Sequence, residues 1–281
     1  MSAIGGVYDF LYVPFLLPAR TVQSLLPENS RLLPVPSSIL SALSLEGKTD
    51  HDDAEPRHLV ALQLGYQKGT GPLLMPFGLN FSEAKLEIPF VSHPHAQERS
   101  FLLKQTIIFS SSLLSISSNL VAGLKSHTAS FTPKGVDAPR NVSQDSAEAI
   151  QYNVANFLES SFEPSPSKGG SPEPESNLDT LRALTTLFHS DWFGHKTGKT
   201  INRFEYARLS TALPTTAITN RDAAEIGPRQ YVASVPLRLW LDAFRHGPAA
   251  ATAEGGDLVQ VPAGTKVWRV RAQYRSFVRS L

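Results

Sequence analysis

Between Leu59 and Ala122 the chain passes through Leu59–Tyr66, Asn80–Val91, Phe101–Ser110 and Leu113–Ala122. These segments are rich in β-branched and aromatic residues, and Gly-, Pro- and His-bearing turns divide them. Each therefore reads as a strand. Val7–Phe15 adds a first strand, with Pro14 suited to an edge or a strand end. Val267–Val278 adds a last one, which alternates: Trp268, Val270, Ala272 and Tyr274 share one side, while Arg269, Arg271, Gln273 and Arg275 share the other. Strand runs of this kind, without a βαβ rhythm, predict an α+β fold built on an antiparallel sheet or barrel.

Helices are expected at the periphery. Pro18 opens a short one carrying Val22, Leu25 and Leu26. Asp145 and Glu148 form a capping box ahead of Ile150, Val154, Phe157 and Leu158, which predicts a helix over Gln144–Phe162. Leu181, Leu184, Leu187 and Phe188 mark another, and Ser234 to Gly247 a third, with Pro236 in its first turn. Glu163–Asn177 is so rich in Pro, Ser and Gly that it is expected to be a disordered insertion in a single domain spanning residues 1–281.

With 281 residues and 41% hydrophobic content the chain can fill a substantial core. Lys and Arg number 26 against 25 Asp and Glu, a net charge of +1 that supplies no bulk attraction to nucleic acid or to an anionic membrane. The sequence holds no cysteine, which excludes disulfides, thiolate metal sites and a cysteine nucleophile. Met1–Gly6 lacks the basic and apolar regions of a signal peptide, and no stretch approaches the ~20 apolar residues of a membrane span. A cytoplasmic protein is expected.

Several motifs read as ordinary surface. Gly194-His-Lys-Thr-Gly198-Lys199-Thr200 is similar to a phosphate loop, but Phe193 stands where that loop needs its first glycine, so a solvated turn is expected. His93-Pro94-His95 and His189-Ser190-Asp191 lack the helical spacing of a zincin and are read as surface turns, with no metal. More telling is Asn80–Phe90, whose alternation puts Glu83, Lys85 and Glu87 on one face and Ala84, Leu86, Ile88 and Phe90 on the other. This is either the polar outer face of a half-buried strand or a row of functional groups.

Three segments together resemble the acetoacetate decarboxylase-like superfamily. Tyr8 to Pro27 is similar to that family's first strand and short helix with a hydrophobic-hydrophobic-Pro ending. Phe81-Ser82-Glu83 followed by Ile88-Pro89 resembles its aromatic-x-Glu strand, and Gly123–Ala129 sits where the family carries its catalytic lysine turn. The resemblance implies a cone-like β-barrel with peripheral helices. It also implies a lysine that forms a Schiff base with a β-keto acid, its iminium accepting the electrons released as carbon dioxide departs. On this reading Glu83, Lys125 and His127 are the catalytic candidates, with Lys85, Ser126, Arg269 and Arg271 as substrate-binding ones. Aligned on Gly123 and Ala129, the adjacent lysines of the family become Ser126 and His127, and Lys125 takes the place of its proline. A one-residue bulge would bring Lys125 into the site; without it the strand turns that side chain to the other face. One of the last-strand arginines would replace the family's first-strand arginine as a carboxylate anchor, or else all of them lie on an outer face.

The function expected is a small-molecule lyase, a decarboxylase or relative acting on a β-keto acid or polyketide-like intermediate in secondary metabolism, without metal or organic cofactor. A cofactor-independent cyclase or isomerase, and a non-catalytic barrel binding a hydrophobic ligand, are the alternatives. A small-molecule substrate is the expected partner, with no nucleic acid and no membrane, and a homo-oligomer is compatible with the sequence.

Overall fold

The computed structural model describes residues 4–45, 55–72, 78–121, 123–133, 149–165, 174–196, 198–207, 229–252 and 257–281. The chain begins with β1 (Ile4–Pro18), α1 (Ala19–Gln23) and α2 (Ser37–Ala42), then runs through three long strands, β2 (Arg57–Pro72), β3 (Leu79–His93) and β4 (Ala96–Phe109). After α3 (Ser112–Val121) come the short strands β5 (Ser126–Thr128), β6 (Phe131–Thr132), β7 (Ile150–Gln151), β8 (Asn153–Val154), β9 (Leu158–Glu159) and β10 (Ser161–Pro164). The rest is α4 (Pro174–Phe188), β11 (Asp191–Phe193), β12 (Thr200–Ala207), β13 (Arg229–Ala233), β14 (Leu237–Trp240), α5 (Leu241–His246), β15 (Leu258–Val261) and β16 (Lys266–Ser280).

The pairing β1-β2-β3-β4-β11-β12-β16 returns to its start because β16 also pairs with β1, from Ile4↔Ser276 to Tyr12↔Trp268. Strands therefore close into a ring, and the edges of β1 and β16 are satisfied by each other. All pairs in it are antiparallel except β4 with β11. A second sheet, ordered β15-β14-β9-β8-β6, lies on the outside. No helix among the described residues is long and apolar enough to cross a membrane.

Because strand side chains alternate, each ring strand sorts its residues into two sets. One set carries Leu11, Val13, Leu62, Leu64, Ala84, Leu86, Ile88 and Ile108, packed with α1, α5 and the second sheet. The other carries Tyr8, Phe10, Tyr12, Tyr206, Trp268, Val270 and Tyr274, with Leu184 and Phe188 of α4. The second set points inward, since its members meet partners on non-adjacent strands: Phe10 of β1 lies 6.4 Å from Tyr206 of β12. Phe188 packs edge-on against Phe10 and Tyr12, so the end of α4 closes one end of the ring.

Several expectations change. Leu113–Ala122 forms α3 rather than a strand. The described part of the segment expected as a helix over Gln144–Phe162 folds as β7 to β10, because Ile150, Tyr152 and Val154 bury at a spacing of two; Asp145 and Glu148 lie outside the described residues. The segment from Ser234 is strand β14 before it is helix, and α5 starts only at Leu241, with Trp240 as its N-cap. The ends of the expected insertion belong to β10 and α4, while residues 166–173 lie outside the described residues. His93 is buried rather than on a surface turn: its ring packs against Phe193 at 4.7 Å and its Nδ1 accepts the His95 amide at 3.1 Å.

Candidate active site

β3 is flanked by β2 and β4 within the ring, so one of its faces points into the ring and the other toward the outer layer. Glu83, Lys85 and Glu87 are 1%, 2% and 3% exposed, and Gly65, Gln63 and Ala61 lie opposite them on β2. Lys85 Nζ sits 4.4 Å from the Tyr8 ring of β1 and 5.7 Å from the Phe204 ring of β12, which only an inward side chain can reach. On the β4 side the register slips between Leu86 and Glu87, so that Thr106 faces Leu86 but Lys104, not Gln105, faces Glu87. That bulge turns Lys104 inward.

Four ionisable side chains are thus gathered in the ring. Lys85 forms an ion pair with Glu83 and donates to Gln63 Oε1 at 3.1 Å. Glu83 also accepts from Gln67 Nε2 at 2.6 Å, and Gln67 in turn accepts from Thr70 at 2.8 Å and from the Tyr274 hydroxyl. Tyr152, reaching in from the outer layer, shares its hydroxyl between the carbonyls of Gly65 and Glu83, 2.9 Å from each. Lys104 is held differently: its Nζ lies 3.9 Å from Glu87 Oε1, 4.0 Å from the Trp192 ring and 3.7 Å from the Phe204 ring. No hydrogen bond reaches this nitrogen from the described residues.

Burial, reinforced by the Lys85 cation, drives the Lys104 ammonium well below the usual lysine range. Burial likewise raises the Glu87 carboxyl, against the pull of Lys104 and Lys85. The two partners are thereby pushed toward their neutral forms. Burial also pushes the phenols of Tyr8, Tyr12 and Tyr206 up, keeping them protonated around the carboxylates. The buried Tyr8 and Tyr12 hydroxyls and Trp192 Nε1 have no hydrogen-bond partner among the described residues. Among the described residues, no three His, Asp or Glu side chains gather as metal ligands would.

The other sequence candidates lie elsewhere. β5 runs in unbroken register beside β4, Ile107↔Ser126 and Ile108↔His127, so the bulge that would bring Lys125 inward does not form at β5. Lys125 donates to the Arg245 carbonyl near the C-terminus of α5, a natural place for a cation. The His127 ring is 5.9 Å from Phe157, in the outer layer that holds Leu86 and Ile88. Ser126 donates to the Ser115 carbonyl at 2.8 Å and ties α3 to the sheet. Arg269 grips Asp9 through Nε and Nη2 at 3.1 and 3.0 Å, on the side away from Tyr8 and Val270, and the Arg271 backbone is opposite Asp9 on the same outward register. The structure therefore joins Glu83 and Lys85 but not Lys125, His127, Ser126 or Arg269 to them. Sequence reasoning missed Lys104; a single lysine inside the apolar run Phe101–Phe109 was the available signal.

No protein-family model matches the sequence, and no curated protein matches it. Among solved structures, the enduracididine biosynthesis enzyme MppR with HEPES buffer bound superposes with a TM-score of 0.52 at 10% identity, over 99% of this chain and 87% of that one. The chain shares the fold of that enzyme. An acetoacetate decarboxylase from Legionella pneumophila superposes with a TM-score of 0.47 at 8% identity, over 100% of this chain and 87% of its own. An acetoacetate decarboxylase-like enzyme from Sphingomonas wittichii RW1 gives 0.41 at 12%, over 100% and 94%. Within this fold, the buried ionisable groups lie on β3 and β4, and the segment Gly123–Ala129 lies beside β4 on the side of the outer layer.

Proposed function

We propose that this chain is a small-molecule lyase acting on a β-keto acid or polyketide-like intermediate inside the ring, which we read as a single-domain, cone-like barrel. The observation that carries the reading is the inward cluster of Glu83, Lys85, Glu87 and Lys104 among aromatic walls. Buried charges are costly, and such a cluster among titratable groups with displaced proton affinities is how proton-transfer sites are built. Glu83, fixed by Lys85 and Gln67, is oriented to hold or move a proton on a bound substrate. The protein groups suffice for this chemistry without a cofactor. A setting in natural-product biosynthesis rests on the fold shared with the enduracididine enzyme.

The aromatic lining favours a second reading, a cyclase or isomerase that folds an unsaturated substrate against Tyr8, Trp192 and Phe204. Carbon dioxide release from a panel of β-keto acids separates the two. Decarboxylation that falls at least about 100-fold in Glu83→Gln, the scale of general acid–base catalysis, supports the lyase. Conversion of polyketide-like substrates without carbon dioxide supports the cyclase.

A further inference from the structure

The second sheet carries a cavity that the groups inside the ring do not line. Its volume is about 660 Å³, within the roughly 300–1,000 Å³ of small-ligand sites. On β14, Leu237 and Leu239 bury into the core, and the alternate Arg238 and Trp240 line the cavity together with Glu159 of β9. The Arg238 guanidinium lies over the Trp240 ring, 5.0 Å from its centre, and its Nη1 donates to Glu159 Oε2 at 3.0 Å. The β8–β9 turn supplies a further wall and is pinned on both sides: the Ala155 amide donates to the Ser130 carbonyl and the Trp240 amide to the Phe157 carbonyl, each at 3.0 Å. In that turn Asn156 has a φ of +66°, a left-handed conformation that asparagine adopts more readily than most residues. Asn153 accepts the Ser160 amide at 2.9 Å through Oδ1, which leaves its Nδ2 without a partner among the described residues. Gln151 of β7 and Thr132 of β6 also line the space.

Among the described residues, the charged side chains in these walls are Arg238 and Glu159, and they cancel. A phosphate or carboxylate would find no unpaired cation there, and a hydrocarbon would strip water from the amides and hydroxyls without replacing it. An extended peptide would need a free strand edge, but β6 and β7 are two residues each. Amides and hydroxyls both donate and accept, so they match a neutral ligand whose own groups do the same. The ion pair matches it too: Arg238 keeps N–H groups beyond the one given to Glu159, and Glu159 keeps a second oxygen, so donor and acceptor stand side by side as two adjacent hydroxyls require. Trp240 adds an apolar surface for the C–H face of a ring. We infer that this cavity is a binding site for a neutral, polyhydroxylated ring compound, a sugar of one or two units. The site stands apart from the ring interior and does not depend on the chemistry performed there.

The test uses the intact protein and saturation-transfer NMR with glucose, maltose, glucose 6-phosphate and tetraalanine as probes. Glucose or maltose is expected to bind with a Kd of about 1 mM or below, and glucose 6-phosphate no more tightly than glucose. Affinity for the sugar is expected to fall at least tenfold in Arg238→Met and in Trp240→Leu. Because Trp240 is half-buried, Gln151→Ala, at an exposed position, provides a variant that keeps the fold; it is expected to weaken binding with an unchanged thermal unfolding midpoint. Absence of transfer to both glucose and maltose overturns the assignment, as does tighter binding of glucose 6-phosphate or of tetraalanine. Sugar binding that survives all three substitutions also overturns it, since the ligand is then held elsewhere. None of these results bears on the lyase reading, which release of carbon dioxide tests separately.

Discussion

A lysine and a glutamate 3.9 Å apart in the closed interior of a ring are a liability when either is removed alone. Taking away Lys104 leaves the Glu87 carboxyl without its partner, and taking away Glu87 leaves the Lys104 amine among aromatic rings; a buried polar group left without its partner costs about 1–3 kcal/mol. Replacing both by uncharged groups of similar volume removes two desolvation penalties at once. Lys104→Met and Glu87→Gln are therefore each expected to destabilise by about 1–3 kcal/mol, and the double variant by less than their sum, measured by denaturant unfolding as a double-mutant cycle. The pH dependence carries a sign. A carboxyl whose folded pKa is raised binds more protons when folded, so its contribution to stability is present below the unfolded value and is lost as pH rises through the folded one. Unfolding free energy measured from pH 4 upward is expected to fall more steeply in the parent than in Glu87→Gln; equal slopes would contradict a raised Glu87. The alternation around Glu83 was legible in the sequence because it repeats every two residues. Lys104 was not, because its direction depends on one extra residue in β4, and a bulge leaves no periodic trace.

Strand pairing explains what was readable at the scale of elements and what was not. The long strands β1, β2, β3, β4 and β16 were all recognisable from apolar runs and turns, since each is buried on at least part of both faces. The short strands β7 to β10 were masked by a helical spacing of Ile150, Val154, Phe157 and Leu158, and tertiary contacts with β13, β14 and β6 decided the outcome. α3 failed in the opposite direction: its exposed Leu113, Ile116 and Leu120 gave the segment the composition of a buried strand. Close approach of strands also makes a local prediction. A Cβ on Gly65 would lie 2.4 Å from the Asp9 carbonyl oxygen and 2.5 Å from Phe10 Cβ, so β1 and β2 can keep their register only if this residue has no side chain. Gly65 is also opposite Glu83 and accepts from Tyr152. Gly65→Ala is expected to cost about 1–3 kcal/mol, the overpacking range, and to reduce activity with it. Thermal unfolding and the turnover assay check both.

On the scale of the whole molecule, closure of the ring depends on the β1–β16 seam, where the first strand meets the last. Arg269 and Asp9 lie across this seam, with side chains 14% and 15% exposed, and their two hydrogen bonds form a bidentate clamp. The alternation that turns Trp268, Val270 and Tyr274 inward carries Arg269 outward, so one residue cannot both lock the seam and hold a substrate inside. A carboxylate anchor and a seam clamp predict opposite results for the same substitution. In Arg269→Gln, loss of a charge-assisted, largely buried clamp is expected to lower stability by about 1.5–3 kcal/mol, while KM for an acidic substrate stays within about twofold of the parent under conditions where the variant is folded. An increase in KM of tenfold or more, with stability unchanged, would instead make Arg269 a substrate anchor and would require the seam to open during binding. The substitution thus tests whether the ring is a permanently closed container, filled through one of its ends, or one that opens along β1 and β16.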